Sequence, residues 1–340
     1  MNAQRSNSRA EAGELRRIAV IGGGRSSEHD VSRASAAGVA VALGGRCHVV
    51  ALTIDRCGRW RDDHGGELTA REVVEVLSTC DLAVPMLHGP HGEDGTAAGF
   101  FDLAGIPALG CSVRAGALAM DKWVTKLIAE GVGIATAPGV LLDRQRATEV
   151  TRQHQRAWSG PLVVKPVGAG SSEGVGLVER PEALPAAIET ALAHDDRVLI
   201  ERKITGREID VAVLGRPDGT RLVPPLLEIA TDTIFDTTAK YDGSADFRIP
   251  ADLPGLAAAQ LESAARRMYD ALGCSGVVRV DFFVTTEGPV LNEVNTCPGF
   301  TEQSQVPKMF AATGLEYADL LELLIEDALH VVPESASMAR

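Results

Sequence analysis

A chain of 340 residues with 45% apolar and 23% charged content is long enough for two or three domains, each with its own core. Its formal charge of −13 argues against a general nucleic-acid binder, which needs a basic field, yet a local basic cluster could still hold one triphosphate. Six scattered cysteines without a C-x-x-C pair indicate neither a disulfide framework nor a zinc site and fit a reducing cytosol, and no apolar run approaches the roughly 18 residues of a membrane span.

Residues 1–15 read as a loose polar tail without the apolar centre of a signal peptide. Arg16 to Gly24 (R-R-I-A-V-I-G-G-G) predicts a strand running into a glycine turn. A helix should follow, capped by Ser26 or Ser27 and stopped by Gly44 and Gly45. A dinucleotide-binding reading fails because the last position of G-x-G-x-x-G is Ser27. Glu28 is the odd charge at this helix start: it either completes the cap or pairs with a substrate ammonium. Strands at Cys47–Ile54 and Asp81–Met86, with a helix at Thr69–Ser78 between them, give an alternating β/α pattern.

The second of these strands ends in H-G-P-H-G-E-D-G, His88 to Gly95, a composition that marks a functional loop of an open α/β sheet. A short strand at Ile106–Leu109 and a helix over Ala115–Ile128 come next, the helix carrying Lys122 inside an apolar stretch. From Ala135 a Pro-containing linker and a polar helix, Arg144–Arg156, lead to P-L-V-V-K-P-V-G-A-G-S-S-E-G-V-G. This is a strand bearing Lys165, a Gly/Ser turn, and a second strand at Gly174–Val178. Glycine lets backbone amides approach an anion closely, and serines add donors. The order is not that of a Walker A loop, since the lysine precedes the glycines and no helix follows. A helix at Pro181–His194 and a strand from Arg197 complete this block, and Glu201 and Glu208 flank the turn that joins it to a strand at Ile209–Leu214. Thr231–Pro250 is polar, lacks periodicity, and has the length of a lid or a disordered segment. Helices are expected at Leu256–Leu272 and Leu315–Leu329.

Between those helices, V-V-R-V-D-F-F-V and V-L-N-E-V-N flank T-T-E-G-P, which predicts a hairpin over residues 277–298. Side chains alternate along a strand, so Arg279 and Asp281 share one face of the first run, and Leu291, Glu293 and Asn295 one face of the second. If those faces coincide, the oxygens of Asp281, Glu293 and Asn295 form a hard, sparse donor set. Such a set suits Mg²⁺, with Mn²⁺ possible, completed by substrate phosphates. The plainer alternative is a solvated face with an Arg–carboxylate pair.

These motifs together resemble the D-alanine–D-alanine ligases of the ATP-grasp superfamily over about residues 16–330. The carriers are I-G-G-G-R-S-S-E-H-D-V-S, H-G-P-H-G-E-D-G, M-D-K, V-V-K-P-V-G-A-G-S-S-E-G-V, V-L-I-E-R-K-I-T-G-R-E, A-K-Y, R-V-D and N-E-V-N-T-C-P-G-F-T-E-Q-S, in order. The resemblance implies an α/β and α+β chain, an N-terminal open α/β domain followed by a two-lobed ATP-grasp fold. The expected divisions are 16–121, 122–211 and 212–335, with the lid at 231–250. It also implies ATP as cosubstrate, two Mg²⁺, D-alanine as substrate, a homodimer and a cytoplasmic location, with no nucleic-acid or membrane partner.

Residue by residue, the resemblance casts Lys122, Lys165 and Lys240 as phosphate contacts. Glu201 and Glu208 would lie along adenine and ribose, with the backbone from Arg202 to Ile204 beside them. Asp281, Glu293 and Asn295 would hold the metal, and Arg279 with the Gly299 amide would form an oxyanion hole. Glu28, Ser171 and Tyr241 correspond to a hydrogen-bonded trio. Glu28, His88, Ser304 and Gln305 are the expected substrate-binding residues. The chain departs from the family pattern at Cys297, at Gln303 and Gln305, and in the lid sequence before A-K-Y. All of these bear on the second-substrate pocket, where the glutamines could admit D-serine as a minor substrate. Competing functions are a resistance-type or biosynthetic ligase using D-serine, D-lactate or another second substrate on the same fold, and a non-catalytic nucleotide-binding regulator.

Overall fold

The computed structural model describes residues 14–230 and 246–331. An N-terminal sheet contains β1 (Arg17–Gly23), β2 (His48–Ile54), β3 (Trp60–Arg61), β4 (Glu67–Leu68) and β5 (Leu82–Pro85), in the order β4-β3-β2-β1-β5. Strand β1, flanked by β2 and β5, runs parallel to both, as crossover connections require. Helix α1 (His29–Ala42), α2 (Ala70–Ser78) and α3 (Thr96–Leu103) cover the sheet. Successive residues of β1 serve two cores: Ile18 and Val20 face one, Ala19 and Ile21 the other. Thr69 and Glu72 close a reciprocal capping box on α2. Helix α3 has no counterpart in the sequence reading, because its residues T-A-A-G-F-F-D-L begin directly on the glycine loop.

The single helix expected over Ala115–Ile128 is two, α4 (Val113–Met120) and α5 (Lys122–Gly131). Asp121 leaves helical geometry, with φ −77° and ψ 97°, and accepts from the Val124 amide at 2.9 Å. It thereby caps α5 and puts Lys122 at a helix start. The expected linker beyond Ala135 holds two short strands, β6 (Ala135–Thr136) and β7 (Gly139–Asp143), separated by Ala137 and Pro138. Strand β7 enters a second sheet with β8 (Leu162–Pro166), β9 (Gly176–Val178) and β10 (Arg197–Arg202), ordered β7-β10-β8-β9. Helices α6 (Ala147–Arg156) and α7 (Leu184–Leu192) pack on it around a core that includes Leu142, Val164, Leu184, Ile188 and Ile200.

The third sheet contains β11 (Arg207–Gly215), β12 (Arg221–Leu222), β13 (Leu227–Ala230), β14 (Asp246–Arg248), β15 (Gly276–Thr285) and β16 (Gly288–Asn295). Its order is β14-β13-β11-β15-β16-β6, with β12 on β11. Strand β11 pairs along its whole length with β15, so the turn before Arg207, and not position 211, separates the second sheet from the third. Strand β6 and residues Ala119, Ala129 and Ile134 also join the third sheet, packing against α8 (Gly255–Leu272). On the other face, α9 (Gln305–Ala311) and α10 (Tyr317–Val331) share a core with the first sheet. Among the described residues no helix is long and apolar enough to cross a membrane.

Candidate active site

Helix α1 begins at His29, so Glu28 and neither serine occupies its N-cap. The Glu28 side chain makes no cap bond and accepts instead from Ser171 Oγ at 2.6 Å. Ser26 Oγ is drawn to the His88 carbonyl at 2.7 Å. Two glycines make room for the carboxylate: a Cβ on Gly89 or Gly170 would lie 2.6 or 2.8 Å from Glu28 Oε2. Ser171 and Ser172 both adopt positive φ, 49° and 58°, a conformation that costs energy outside glycine and concentrates at functional loops. Glu28 and Ser171 of the expected trio are therefore in contact. Tyr241 and Lys240 lie outside the described residues, as does most of the lid.

His88 is buried, and burial holds its imidazole below the usual range despite the opposing charge of Glu28. Its Nδ1 lies 2.8 Å from the Cys297 carbonyl and its Nε2 2.9 Å from Ser35 Oγ. The carbonyl can only accept, so the neutral ring donates from Nδ1 and accepts from Ser35 at Nε2. With both nitrogens engaged, His88 is not placed as a direct substrate ligand. It ties the glycine loop to the segment Cys297–Phe300, whose Phe300 amide also bonds to Ser35 Oγ at 3.2 Å. Glu93, on the same loop, is pushed up to about 8 by burial and by the neighbouring Glu28.

A cleft of about 1270 Å³ separates the second and third sheets. Lys122, Lys165, Glu201, Arg202, Ile204, Glu208 and Glu293 all line it, together with Gly170 and Ser172. Lys165 Nζ pairs with Glu201 Oε2 at 2.6 Å, and Lys126 Nζ with Glu201 Oε1 at 2.6 Å. Burial opposes the charge on Glu201, but the two ammoniums outweigh it and hold its carboxyl below the usual range. Lys126 also donates to the Ala137 carbonyl. Sequence reasoning missed Lys126, although it stands four residues after Lys122, on the same face of α5. Lys122 Nζ donates to the Ala169 carbonyl at 2.6 Å, which ties α5 to the glycine–serine turn. Near Arg202 the backbone is partly committed, its amide donating to the Pro138 carbonyl at 2.9 Å.

In the hairpin, Arg279 stands opposite Asn295 and Asp281 opposite Glu293, so the expected faces coincide. The register then shifts between Asp281 and Phe282, which puts Leu291 opposite Phe282 in the core. Asp281 is engaged: Arg279 Nε and Nη2 donate to its two oxygens at 2.7 and 2.8 Å, and Asn295 Nδ2 donates at 2.9 Å. Burial works against the Arg279 charge, but Asp281 and Asp210 override it and the guanidinium stays protonated. Gln305, expected at the substrate, is turned away from that task. Its Oε1 accepts from Arg279 Nη1 at 2.6 Å and its Nε2 donates to Asp210 at 2.7 Å. Asp210 went unread in the sequence, where it stands as one acid in an apolar strand. Ser304 Oγ meets the Thr301 amide and hydroxyl at 3.0 and 2.9 Å, beside Gly299.

The chain matches two family models, the D-ala D-ala ligase N-terminus over residues 17–111 and the D-ala D-ala ligase C-terminus over residues 128–326. A D-alanine–D-alanine ligase of Corynebacterium urealyticum is 42% identical over 93% of this chain and 99% of its own length. Among solved structures, the VanG D-Ala:D-Ser ligase from Enterococcus faecalis superposes with a TM-score of 0.79 at 35% identity, covering 93% of this chain and 100% of that one. The D-alanine–D-alanine ligase of Bacillus anthracis complexed with ATP gives 0.75 at 30% identity, over 93% and 98% of the two chains. The architecture is thus that of solved ligases of this kind, and the chain belongs to the D-alanine–D-alanine ligase family.

Proposed function

We propose that this chain joins two molecules of D-alanine into D-alanyl-D-alanine with ATP, for peptidoglycan precursor synthesis. The observation that carries the reading is a single cleft lined by Lys122, Lys165 and Glu293, whose glycine–serine wall bonds through Ser171 to Glu28 of the N-terminal domain. Lys122, Lys165 and Lys240 hold the triphosphate, Glu208 accepts from ribose hydroxyls, and the backbone from Arg202 to Ile204 borders adenine. Glu201 clamps Lys165 against the cleft wall, which leaves the adenine edge to that backbone. Glu28 receives a D-alanine ammonium, and Ser171 and Tyr241 complete its hydrogen bonds. The first D-alanine's carboxylate takes the γ-phosphoryl group. The second D-alanine's amine, its carboxylate held at Ser304, then attacks the acyl phosphate, and the tetrahedral adduct gives up a proton and expels phosphate to leave the peptide bond. Arg279 and the Gly299 amide stabilise the oxyanion that forms.

The donor set beside the cleft fits a divalent cation. Among the described residues no three His, Cys, Asp or Glu side chains cluster as a metal site, and the set is two carboxylates and an amide, hard oxygens suited to Mg²⁺ or Mn²⁺. Asp281, Glu293 and Asn295 would hold two such ions, which when bound neutralise the β- and γ-phosphates. We infer a cytoplasmic homodimer from the same resemblance, the exposed Leu103 and Val113 offering an apolar face near Gly99 for a second copy.

The test supplies ATP, Mg²⁺ and equal D-alanine, D-serine and D-lactate, and identifies products by mass spectrometry. D-alanyl-D-alanine should dominate and grow as pH rises from about 6 to 8, because only the free amine attacks. A D-serine product in excess would move the chain to the reading its likeness to VanG raises, and ATP binding without phosphate release would make it a regulator. Gln305 gives no support to D-serine use, since both ends of its amide are already engaged.

A further inference from the structure

Asp210 and Asp281 stand directly opposite each other on β11 and β15, a placement that is repulsive for two carboxylates unless a cation lies between them. Arg279 is that cation. It binds Asp281 through two nitrogens and approaches Asp210 Oδ2 at 3.5 Å from Nε. Gln305 closes the ring by accepting from Arg279 Nη1 and donating to the same Asp210 oxygen. Three of the five guanidinium N–H groups are used this way, which leaves one on each terminal nitrogen without an acceptor among the described residues.

Asp281 is also one of the proposed metal ligands, so its hold on Arg279 is divided. Asp210 is fully buried, does not line the cleft, and is not one of the proposed metal ligands. We propose that Asp210 and Gln305 are positioning residues of the ligase reaction, a buried acceptor–amide pair that aims the two remaining N–H groups of Arg279 at the developing oxyanion. The inference rests on the proposed function and adds two residues to it. A guanidinium fixed in advance stabilises charge without reorganising during the reaction.

The test exchanges the polarity of the pair. Gln305→Glu keeps an acceptor for Arg279 but sets a carboxylate against Asp210, while Asp210→Asn with Gln305→Glu restores one donor and one acceptor at the wild-type net charge. Gln305→Met keeps the volume and removes both bonds. Gln305→Met and Gln305→Glu should each lower kcat about tenfold or more with the KM for ATP unchanged, the pattern of a contact felt only in the transition state. The double variant should recover most of the lost kcat. Tm and ATP-analogue binding are read on every variant, and a purely structural role would move Tm while leaving kcat of the folded protein intact. Wild-type kcat in Gln305→Met, or a double variant no faster than Gln305→Glu, overturns the inference. Wild-type protein that forms no dipeptide overturns the proposed function instead.

Discussion

Burial decides the chemistry of Glu93. Its carboxyl, ordinarily near 4.5, is pushed up to about 8 by desolvation first and by Glu28 second, while the Gly89 amide at 3.1 Å and the charge of Arg279 work the other way. Between those two values the folded protein keeps a proton that the unfolded chain releases. Stability from this group is therefore complete below the lower value and is lost as pH rises through the upper one. Glu93→Gln removes the titration and still accepts from Gly89. Wild-type Tm should fall by several degrees more than that of the variant between about pH 6 and 9. Parallel melting curves across that range would show that Glu93 is already ionised in the fold. Glu201 presents the opposite case: it too is buried, but its two lysines keep it charged, and its stabilisation is lost as pH falls.

At the scale of elements, the start of α5 sets the geometry of the lysines proposed to hold the phosphates. Asp121 caps the helix, accepts from Arg197 at 2.6 Å, and so fixes the turn that carries Lys122 and, one turn on, Lys126. Asp121→Ala should cost about 1–2 kcal/mol of stability and raise the KM for ATP. Asp121→Asn, which still caps, should recover most of both, and equal KM values for ATP in all three proteins would separate the cap from nucleotide binding. This cap also shows what the sequence made legible. Hydrophobic periodicity runs unbroken from Ala115 to Ile128, so the break at Asp121 was invisible to pattern, although Asp before a new apolar turn is a capping signal. The hairpin was legible because alternation alone puts Asp281, Glu293 and Asn295 on one face. The partners of those residues were not. Asp210 and Gln305 are 95 residues apart, and only the packing of α9 over β11 joins them. The two-residue strand β6 lay hidden in what read as a linker, because its pairing partner β16 is some 150 positions on, a separation no local pattern reports.

Across the whole molecule, the distribution of cores predicts which parts unfold together. Ile18, Val20 and Val84 of the first sheet share one core with Leu227 and Ile229 of the third and with Phe310 and Leu321 of α9 and α10. Neither sheet can lose that core without exposing the other. The second sheet closes its own core around Leu184 and Ile188, and polar contacts attach it to the rest, among them Arg197–Asp121 and Ser171–Glu28. Phe310 and Leu184 are both almost fully buried, so truncating either to Ala should cost about 2–5 kcal/mol. The two losses should nevertheless spread differently. In hydrogen exchange, Phe310→Ala should lower protection in β1 and β13 together and leave β8 near wild type, whereas Leu184→Ala should open β8 and β10 alone. The cleft uses the second sheet as one wall, so Leu184→Ala should also weaken ATP binding at temperatures where the first and third sheets remain intact. Protection lost equally in β1 and β8 by Leu184→Ala would instead make the three sheets one cooperative unit, with Ser171–Glu28 and its neighbours coupling strongly enough to replace a shared apolar core.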